Sequence, residues 1–162
     1  MLYLPRHPIQ ELGLTELVGI NEKVDQNDYS GSVGVSVASG SSQPVSGEIL
    51  SLALYATEDG TGAVQDSAGE LYILDADPAV ASGDTALTAV EWVTILARVK
   101  VASTDWTVDA AGGVAYFYDL HIPFHNVKTL YFVWKQTDAT GLNADAAHDE
   151  QLEMNAWYVR HS

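Results

Sequence analysis

Hydrophobic and polar residues alternate most regularly in the last third of the chain. Over residues 151–159, one side of an extended segment would carry Leu152, Met154, Ala156 and Tyr158, and the other Glu153, Asn155, Trp157 and Val159. A period of two is typical of a strand that is covered on one face. Residues 130–136 are rich in aromatic and β-branched side chains, which pack well on a pleated sheet. The two segments therefore predict central strands of an all-β core.

Shorter segments of the same character lie upstream, separated by turns rich in Gly, Asp, Asn and Ser, at 33–37, 47–56, 70–75, 94–101 and 114–122. In the second of these we expect Leu50, Leu52 and Leu54 to face the core. Residues 123–126 are expected to connect the last two strands before residue 136. About seven or eight short strands at this spacing predict an antiparallel β-sandwich, a jelly roll or a barrel-like fold.

One segment has the composition of a short helix. Residues 85–93 follow Asp84, whose side chain would cap the first turn, and Leu87, Val90 and Trp92 would face inward. The alternative is a single strand from Leu87 to Val101. We favour a helix followed by a strand that begins near residue 94.

The first 30 residues differ from the rest of the chain. Pro5 and Pro8 fix φ and remove two backbone donors, and the apolar residues that follow show no clean periodicity. Such a segment is an arm laid over its own core or over a neighbouring molecule, and the former is commoner in monomers. We therefore predict an extended N-terminal arm over residues 1–30 and a β-sandwich domain over residues 31–162.

The charge balance limits the classes of partner. The chain has 22 acidic and 7 basic residues, which gives a formal net charge of −15. Nucleic-acid binding depends on basic residues that displace counterions, so direct binding is not expected, and an anionic membrane would also repel this surface. Docking onto a basic protein surface is favoured.

Cysteine is absent, and no apolar stretch approaches the length of a membrane span or a signal peptide. Disulfides, thiolate chemistry and cysteine-based zinc sites are therefore excluded. We expect a protein that is made and kept in a cytoplasm, or in something assembled there.

Motifs for catalysis and cofactor binding are also absent. The sequence contains no Gly-x-Ser-x-Gly elbow, no Gly-x-Gly-x-x-Gly and no Walker lysine. Any two acidic residues could meet in space as a catalytic pair, but no motif selects a pair. The sequence therefore predicts no catalytic and no cofactor-binding residue.

Two weak metal candidates can be named. His121 and His125 would share a face of an extended segment, but Pro123 would bend it, and zinc needs three or four ligands. Asp138, Thr140 and Asn143 could offer oxygens to calcium without matching an EF-hand spacing. Surface histidines and solvated loop carboxylates are the commoner explanations, so we predict no metal site.

The four tryptophans raise the question of sugar binding. Trp134 and Trp157 lie in predicted strands, where core packing or contact between subunits explains them. Trp106 falls in a predicted bend and is the best exposed candidate for stacking on a glycan.

Several stretches resemble small virion proteins of tailed bacteriophages. In the first half of the match they are residues 71–78 (Leu-Tyr-Ile-Leu-Asp-Ala-Asp-Pro), 82–84, 89–92 and 102–106; in the second half they are residues 130–134, 137–140, 149–153 and 157–160. The chain is similar over residues 70–162 to head decoration (cement) proteins. The resemblance carries no catalytic residues, because its motifs are structural.

What the resemblance implies is a structural role on the outer capsid surface of a virion, for a protein made in the host cytoplasm. Such proteins are often jelly rolls or β-sandwiches, are often trimeric, and stabilise the capsid by binding between subunits of the major capsid protein. We expect a homotrimer in which the arm contacts a neighbour through its apolar residues, namely Leu2, Tyr3, Leu4, Ile9, Leu12 and Leu14.

Two rival functions remain open from the sequence. The first is a glycan- or receptor-binding β-sandwich module of a phage tail or similar assembly, with Trp106 as its ring platform. The second is a small metal-dependent jelly-roll enzyme that uses His121 and His125.

Overall fold

The computed structural model describes most of the chain. The described residues are 8–18, 23–38, 40, 43–57, 68–84, 86–109, 112–138, 142–143 and 151–161. Leu2, Tyr3 and Leu4 of the expected interface, and part of the calcium candidate, lie outside these ranges.

Thirteen strands are found in the described residues, all paired antiparallel, with one α-helix and one 3₁₀ helix. The strands are β1 (Ile9–Glu11), β2 (Thr15–Val18), β3 (Lys23–Val24), β4 (Val33–Ser36), β5 (Val45–Thr57), β6 (Gly69–Leu74), β7 (Ile95–Val101), β8 (Thr107–Asp109), β9 (Gly112–Phe117), β10 (Ile122–Val127), β11 (Thr129–Gln136), β12 (Leu142–Asn143) and β13 (Leu152–Arg160). The α-helix, α1, is Ala89–Trp92, and the 3₁₀ helix is Ser103–Asp105. The expected all-β class with one short helix is confirmed.

The strand order is that of a jelly roll. One sheet runs β1-β13-β5-β9-β8, with β2 also on β13 and β10 also on β5, and the other runs β4-β11-β6-β7. Eight of the strands in these two sheets have the orders β2-β13-β5-β9 and β4-β11-β6-β7. Lettered B to I in chain order, they give B-I-D-G and C-H-E-F. This arrangement of two Greek keys defines the jelly roll. Strands β3 and β12 form a separate pair.

The main core lies between the two sheets and follows the alternation of the sequence. On β13, Leu152, Met154, Ala156 and Tyr158 all point inward, as predicted. On β5, Leu52 and Leu54 are fully buried, whereas Leu50 is only half-buried. The pairing of β13 with β5 shifts between Trp157 and Tyr158, so Leu50 lies at a bulge and leaves the inward row.

A second, smaller core covers the other face of the four-stranded sheet. It contains Tyr72 and Leu74 of β6 and Val133 of β11, packed with Tyr29, Val80 and Leu87 from the connecting segments. The sheet is therefore buried on both faces, which explains the continuous apolar run of residues 71–74. Val80 and Leu87, in the segment between β6 and β7, cover this second face of the sheet.

The helix is shorter than predicted and has a different cap. Its N-cap is Thr88, which forms a capping box with Glu91, and Asp84 instead accepts a hydrogen bond from the Ala81 amide at 2.9 Å. Leu87 is buried as predicted, but the inward orientation of Val90 was wrong. Trp92 follows the prediction only in part: its ring meets the buried Tyr72, while 49% of the residue is exposed. The second core is filled from the strands and Leu87, which leaves the four-residue helix outside it.

The expected connection at residues 123–126 was also wrong, because these residues belong to β10. Pro123 pairs opposite Glu48 of β5. A strand that borders the sheet tolerates proline, since an outward backbone position needs no amide donor. The strand predicted at 114–122 correspondingly ends at Phe117, and the turn that follows contains positive φ values at Asp119 and His121.

Candidate interaction surface

The outer face of the seven-stranded sheet carries exposed tyrosines and a group of histidines around a glutamate. On this face, Ala53 of β5 lies between Asn155 of β13 and Tyr116 of β9. Further along the same strands, Glu48 of β5 lies between Val159 of β13 and Pro123 of β10. We call the first region the aromatic region and the second the imidazole region.

The aromatic region is built around tyrosines. Tyr116 is 48% exposed and Tyr118 is 70% exposed, and their rings are stacked with centroids 6.0 Å apart and planes 13° apart. Tyr55 on the neighbouring strand has its pKa raised, first by burial and then by the charge and hydrogen bonding of Tyr116, with a smaller contribution from Glu11. The region therefore offers ring faces and hydroxyl groups.

One polar pair closes the side of the aromatic region nearest to the N-terminus. Asn155 is only 6% exposed, and its Nδ2 donates to Oε1 of Glu11 on β1. Its Oδ1 is buried and has no hydrogen-bond partner among the described residues. Burial of an amide is costly unless it is hydrogen-bonded, so this pair fixes β1 against β13.

The imidazole region surrounds a cavity of about 350 Å³, lined by Ser46, Gly47, Glu48, His121, Pro123, His125 and His161. His121 Nδ1 lies 2.6 Å from Glu48 Oε1, and His161 Nε2 lies 3.9 Å from Glu48 Oε2. The sequence analysis predicted that His121 and His125 would lie near each other, but it did not identify Glu48 or His161 as their neighbours. Those two residues are distant in sequence and meet only through the pairing of β5 with β10 and β13.

The chemistry available to the imidazole region is limited. Within the described ranges, no three histidine, aspartate or glutamate side chains are arranged to hold a metal ion. The side chain of His121 is 65% exposed and that of Glu48 is 26% exposed, so solvent screens this pair. The arrangement is a surface contact between imidazole and carboxylate groups beside a cavity.

Trp106 was the predicted platform for a glycan, and that prediction was wrong. Its side chain is only 8% exposed and belongs to the main core. A short 3₁₀ helix precedes it, and the chain then turns the indole inward instead of outward. Tyr116 and Tyr118 are exposed rings at β9 and just after it. Their i, i+2 spacing in a predicted strand was the sequence signal that could have identified them.

A third exposed surface lies on α1, on the far side of the four-stranded sheet. Val90 is 75% exposed, Trp92 is 49% exposed and Val93 is 82% exposed. We call these three residues the α1 patch. Val90 and Val93 are three residues apart and therefore lie on one face. Exposed apolar patches mark interaction sites more often than single exposed residues do.

The arm residues that the structure describes are built into the seven-stranded sheet. Strands β1 and β2 both pair with β13, and Leu17 and Val18 are buried in the main core. Leu12 is half-buried against that core, whereas Ile9 is 58% exposed and Leu14 is 60% exposed. The root of the arm is thus fixed, with two of its apolar side chains facing solvent.

Comparisons with known proteins assign no family to the chain. No family model matches the chain, and no curated protein sequence matches it. A structure of desmodium yellow mottle tymovirus is similar at a TM-score of 0.35 and 9% identity, covering 99% of this chain and 93% of that one. A structure of FLHE is similar at a TM-score of 0.31 and 17% identity, covering 93% and 96%. At these scores neither structure assigns a function.

Among the residues that the structure describes, no helix is long and apolar enough to cross a bilayer.

Proposed function

We propose that this protein is a structural virion protein that decorates a bacteriophage capsid and stabilises it by binding between subunits of the major capsid protein. The proposal starts from the resemblance of residues 70–162 to decoration proteins. A jelly roll suits the role, although the fold hosts many functions and carries no argument by itself.

The observation that carries the proposal is that, at the root of the arm, Leu12 is anchored to the sandwich while Ile9 and Leu14 are exposed. The Leu12 amide donates to the Ala156 carbonyl at 2.9 Å, and the Leu12 side chain packs against the main core. On either side of this anchor, Ile9 and Leu14 expose more than half of their side chains. An exposed apolar pair on a fixed backbone is pre-organised for contact, because little conformational entropy remains to be lost on binding.

Energetics favour a role for this pair in an assembly. Burial of apolar surface contributes roughly 25 cal/mol per Å², and closed cyclic symmetry repeats each contact in every copy. The net charge of −15 adds attraction to a basic capsid surface and repulsion between free copies. The same repulsion opposes non-specific aggregation of the free protein.

The test is binding of the double variant Ile9→Ser, Leu14→Ser to capsids isolated without the protein. Occupancy is measured by co-sedimentation, and the heat stability of the decorated capsid is measured in parallel. We expect the variant to need at least about tenfold more protein for half occupancy, since two apolar contacts are lost at each site. Capsids decorated under limiting protein should then open at lower temperature.

The matched control is Val108→Ser, which removes an apolar side chain that is 39% exposed on β8, on the opposite edge of the same sheet. Control occupancy should equal that of the wild type. Unchanged occupancy for the Ile9 and Leu14 variant would remove the arm from the proposal, and failure of the wild-type protein to bind any such capsid would reject the function.

A second candidate function is supported by the stacked Tyr116 and Tyr118 rings. Exposed rings beside hydroxyl groups suit a glycan- or receptor-binding module, because sugar rings stack on aromatic faces. Saturable binding on a glycan array that is lost on Tyr116→Ala and Tyr118→Ala would favour this function. The Trp106→Ala variant is not a suitable test, since its core position makes it a folding variant.

A further inference from the structure

The α1 patch is the most exposed apolar surface that the proposed function leaves unused. Val90 and Val93 expose 75% and 82% of their side chains, and Trp92 between them exposes 49%. Sequence reasoning expected Val90 and Trp92 to face the core, but strand residues and Leu87 already fill that space. Val90 and Val93 therefore contribute little to the fold, and they are available for binding together with the exposed half of Trp92.

Local contacts hold the α1 patch in one arrangement. Thr88 Oγ1 accepts from the Glu91 amide, and the Glu91 carboxylate accepts from the Thr88 amide. The Trp92 ring meets the edge of the buried Tyr72 ring at 6.1 Å with an interplanar angle of 84°. A rigid tryptophan flanked by aliphatic side chains is typical of the residues that dominate binding energy at interfaces.

The carboxylates of Glu91 and Asp75 lie in and next to the segment that carries the α1 patch. The cation of Arg98, which reaches Tyr72, is paired with Glu70 at 3.6 Å. Glu91 belongs to the same helix, and the exposed Asp75 is joined to the end of the helix because its amide donates to the Thr94 carbonyl at 3.0 Å. A matching occupant must combine apolar side chains with a positive charge. An anionic or purely polar occupant would lose energy at this surface.

One segment of this chain has that composition. Residues 2–6 are Leu-Tyr-Leu-Pro-Arg, and Arg6 is one of only 7 basic residues among 162. Proline at position 5 restricts the backbone to extended conformations, which lowers the entropy lost on binding. We propose that residues 2–6 of one copy bind the α1 patch of a second copy, with Leu2, Tyr3 and Leu4 on the apolar side chains and Arg6 beside Glu91 and Asp75.

The positions of the two surfaces determine the kind of assembly. The arm continues from β1 at the edge of the seven-stranded sheet, whereas α1 lies beyond the four-stranded sheet. Contact between two different surfaces is heterologous, so it builds a ring when the rotation closes. From Leu2 to Pro8 the backbone can reach about 20 Å, which is enough to leave its own sheet edge. The inference rests on the proposed function, in which the arm contacts a neighbour, and it names the receiving surface.

The experiment compares the full-length wild type with Val90→Ser, Val93→Ser and with Leu2→Ser, Leu4→Ser by sedimentation velocity over a range of concentrations. The wild type should form a closed oligomer as concentration rises. Each double variant should raise the dissociation constant at least about tenfold. The quadruple variant should be little weaker than either double variant, because both remove the same contact. Arg6→Glu should also weaken association.

Val108→Ser is the control for loss of exposed apolar surface, and its association should match the wild type. Circular dichroism and thermal unfolding check that each variant is folded, which is expected because the α1 patch is exposed. A wild type that stays monomeric at every concentration would overturn the inference. So would an association constant that is unchanged by the Val90 and Val93 variant.

Trp92 fluorescence distinguishes contact between copies from contact within one copy. Trp157 is also partly exposed, so the measurement uses a Trp157→Phe background. Acrylamide quenching of Trp92 should fall as this protein associates and should not depend on Leu2 and Leu4 at monomer concentrations. Protection of Trp92 by Leu2 and Leu4 in the monomer would mean that the arm binds its own chain, which overturns the inference. If the Val90 and Val93 variant is monomeric but still binds capsids, the proposed function is supported without the oligomer. If the wild type forms the oligomer but does not bind capsids, the inference is supported and the proposed function is rejected.

Discussion

Glu11 on the first strand accepts a hydrogen bond from Asn155 on the last strand, across 144 residues of sequence. Asn155 is 6% exposed, and its Oδ1 has no partner in the part of the chain that the structure describes. Glu11 therefore provides the hydrogen bond that compensates burial of the amide. The pair fixes the start of the arm to the sandwich at the place where Ile9 becomes exposed.

Loss of this bond should destabilise the protein. Glu11→Ala leaves both polar atoms of the Asn155 side chain buried without a partner, which should lower the free energy of unfolding by about 1–3 kcal/mol. Glu11→Gln keeps an acceptor oxygen and should recover much of the loss. Urea unfolding followed by tryptophan fluorescence measures both changes.

Glu16→Ala is the control for loss of a carboxylate on the same edge. Glu16 is exposed on β2 and lies opposite Glu153, so its removal relieves repulsion between like charges and should leave stability unchanged or slightly higher. Equal stability of the Glu11→Ala and Glu16→Ala variants would show that the bond to Asn155 contributes nothing.

Gly69 should tolerate no side chain. A Cβ atom there would lie 2.0 Å from Cζ2 of Trp134, which is fully buried and whose Nε1 donates to Gln136 Oε1 at 2.8 Å. Because the indole is held in place, Gly69→Ala should cost about 1–3 kcal/mol of stability or more. At Gly31 the nearest atoms would be 3.9 Å from a new Cβ, so Gly31→Ala is the matched control. Similar urea midpoints for the two variants would contradict the expected clash.

Alkaline pH should weaken the second core through Tyr72. Burial, followed by the hydrogen bond from its hydroxyl to Glu70 Oε2 at 2.7 Å, raises the pKa of Tyr72 above its ordinary value of about 10. The native state then holds this proton more tightly than the unfolded state, so its stabilising effect is complete below about pH 10 and is lost as pH rises further.

The test is Tyr72→Phe, which removes the ionisable group. At neutral pH the variant should be less stable than the wild type by about 1 kcal/mol, because the bond to Glu70 is lost. That difference should be constant between pH 7 and pH 8 and should shrink between pH 10 and pH 11. A difference that stays constant up to pH 11 would rule out the effect.

Strand periodicity was predictable because it depends on which side chains need burial. The inward row of β13 and the buried leucines at 52 and 54 follow directly from alternation. Leu50 departs from the pattern because a bulge shifts the register, and only the partner strand determines where a bulge occurs. Pro123 likewise looked like a connection until its position on a strand at the border of the sheet was known.

Exposure of single aromatic residues was not predictable. Trp92 ends a short α-helix and Trp106 directly follows a short 3₁₀ helix, yet Trp106 is buried and Trp92 is half exposed. What differs is whether neighbouring segments have already filled the space beneath, and local sequence contains no information on that volume. The exposed Tyr116 and Tyr118 pair was within reach of the sequence, because their spacing places both rings on one face.

The sequence by itself determined the all-β class, most strand positions, the acidic surface and the absence of cysteine, since each follows from composition or local period. The tertiary structure decided the jelly-roll order, the meeting of Glu48 with His121 and His161, and the bond from Glu11 to Asn155. These features join residues from strands that are far apart in sequence. Such contacts arise from the pairing of whole strands, which is settled by the burial of both sheet faces together and not by any one segment.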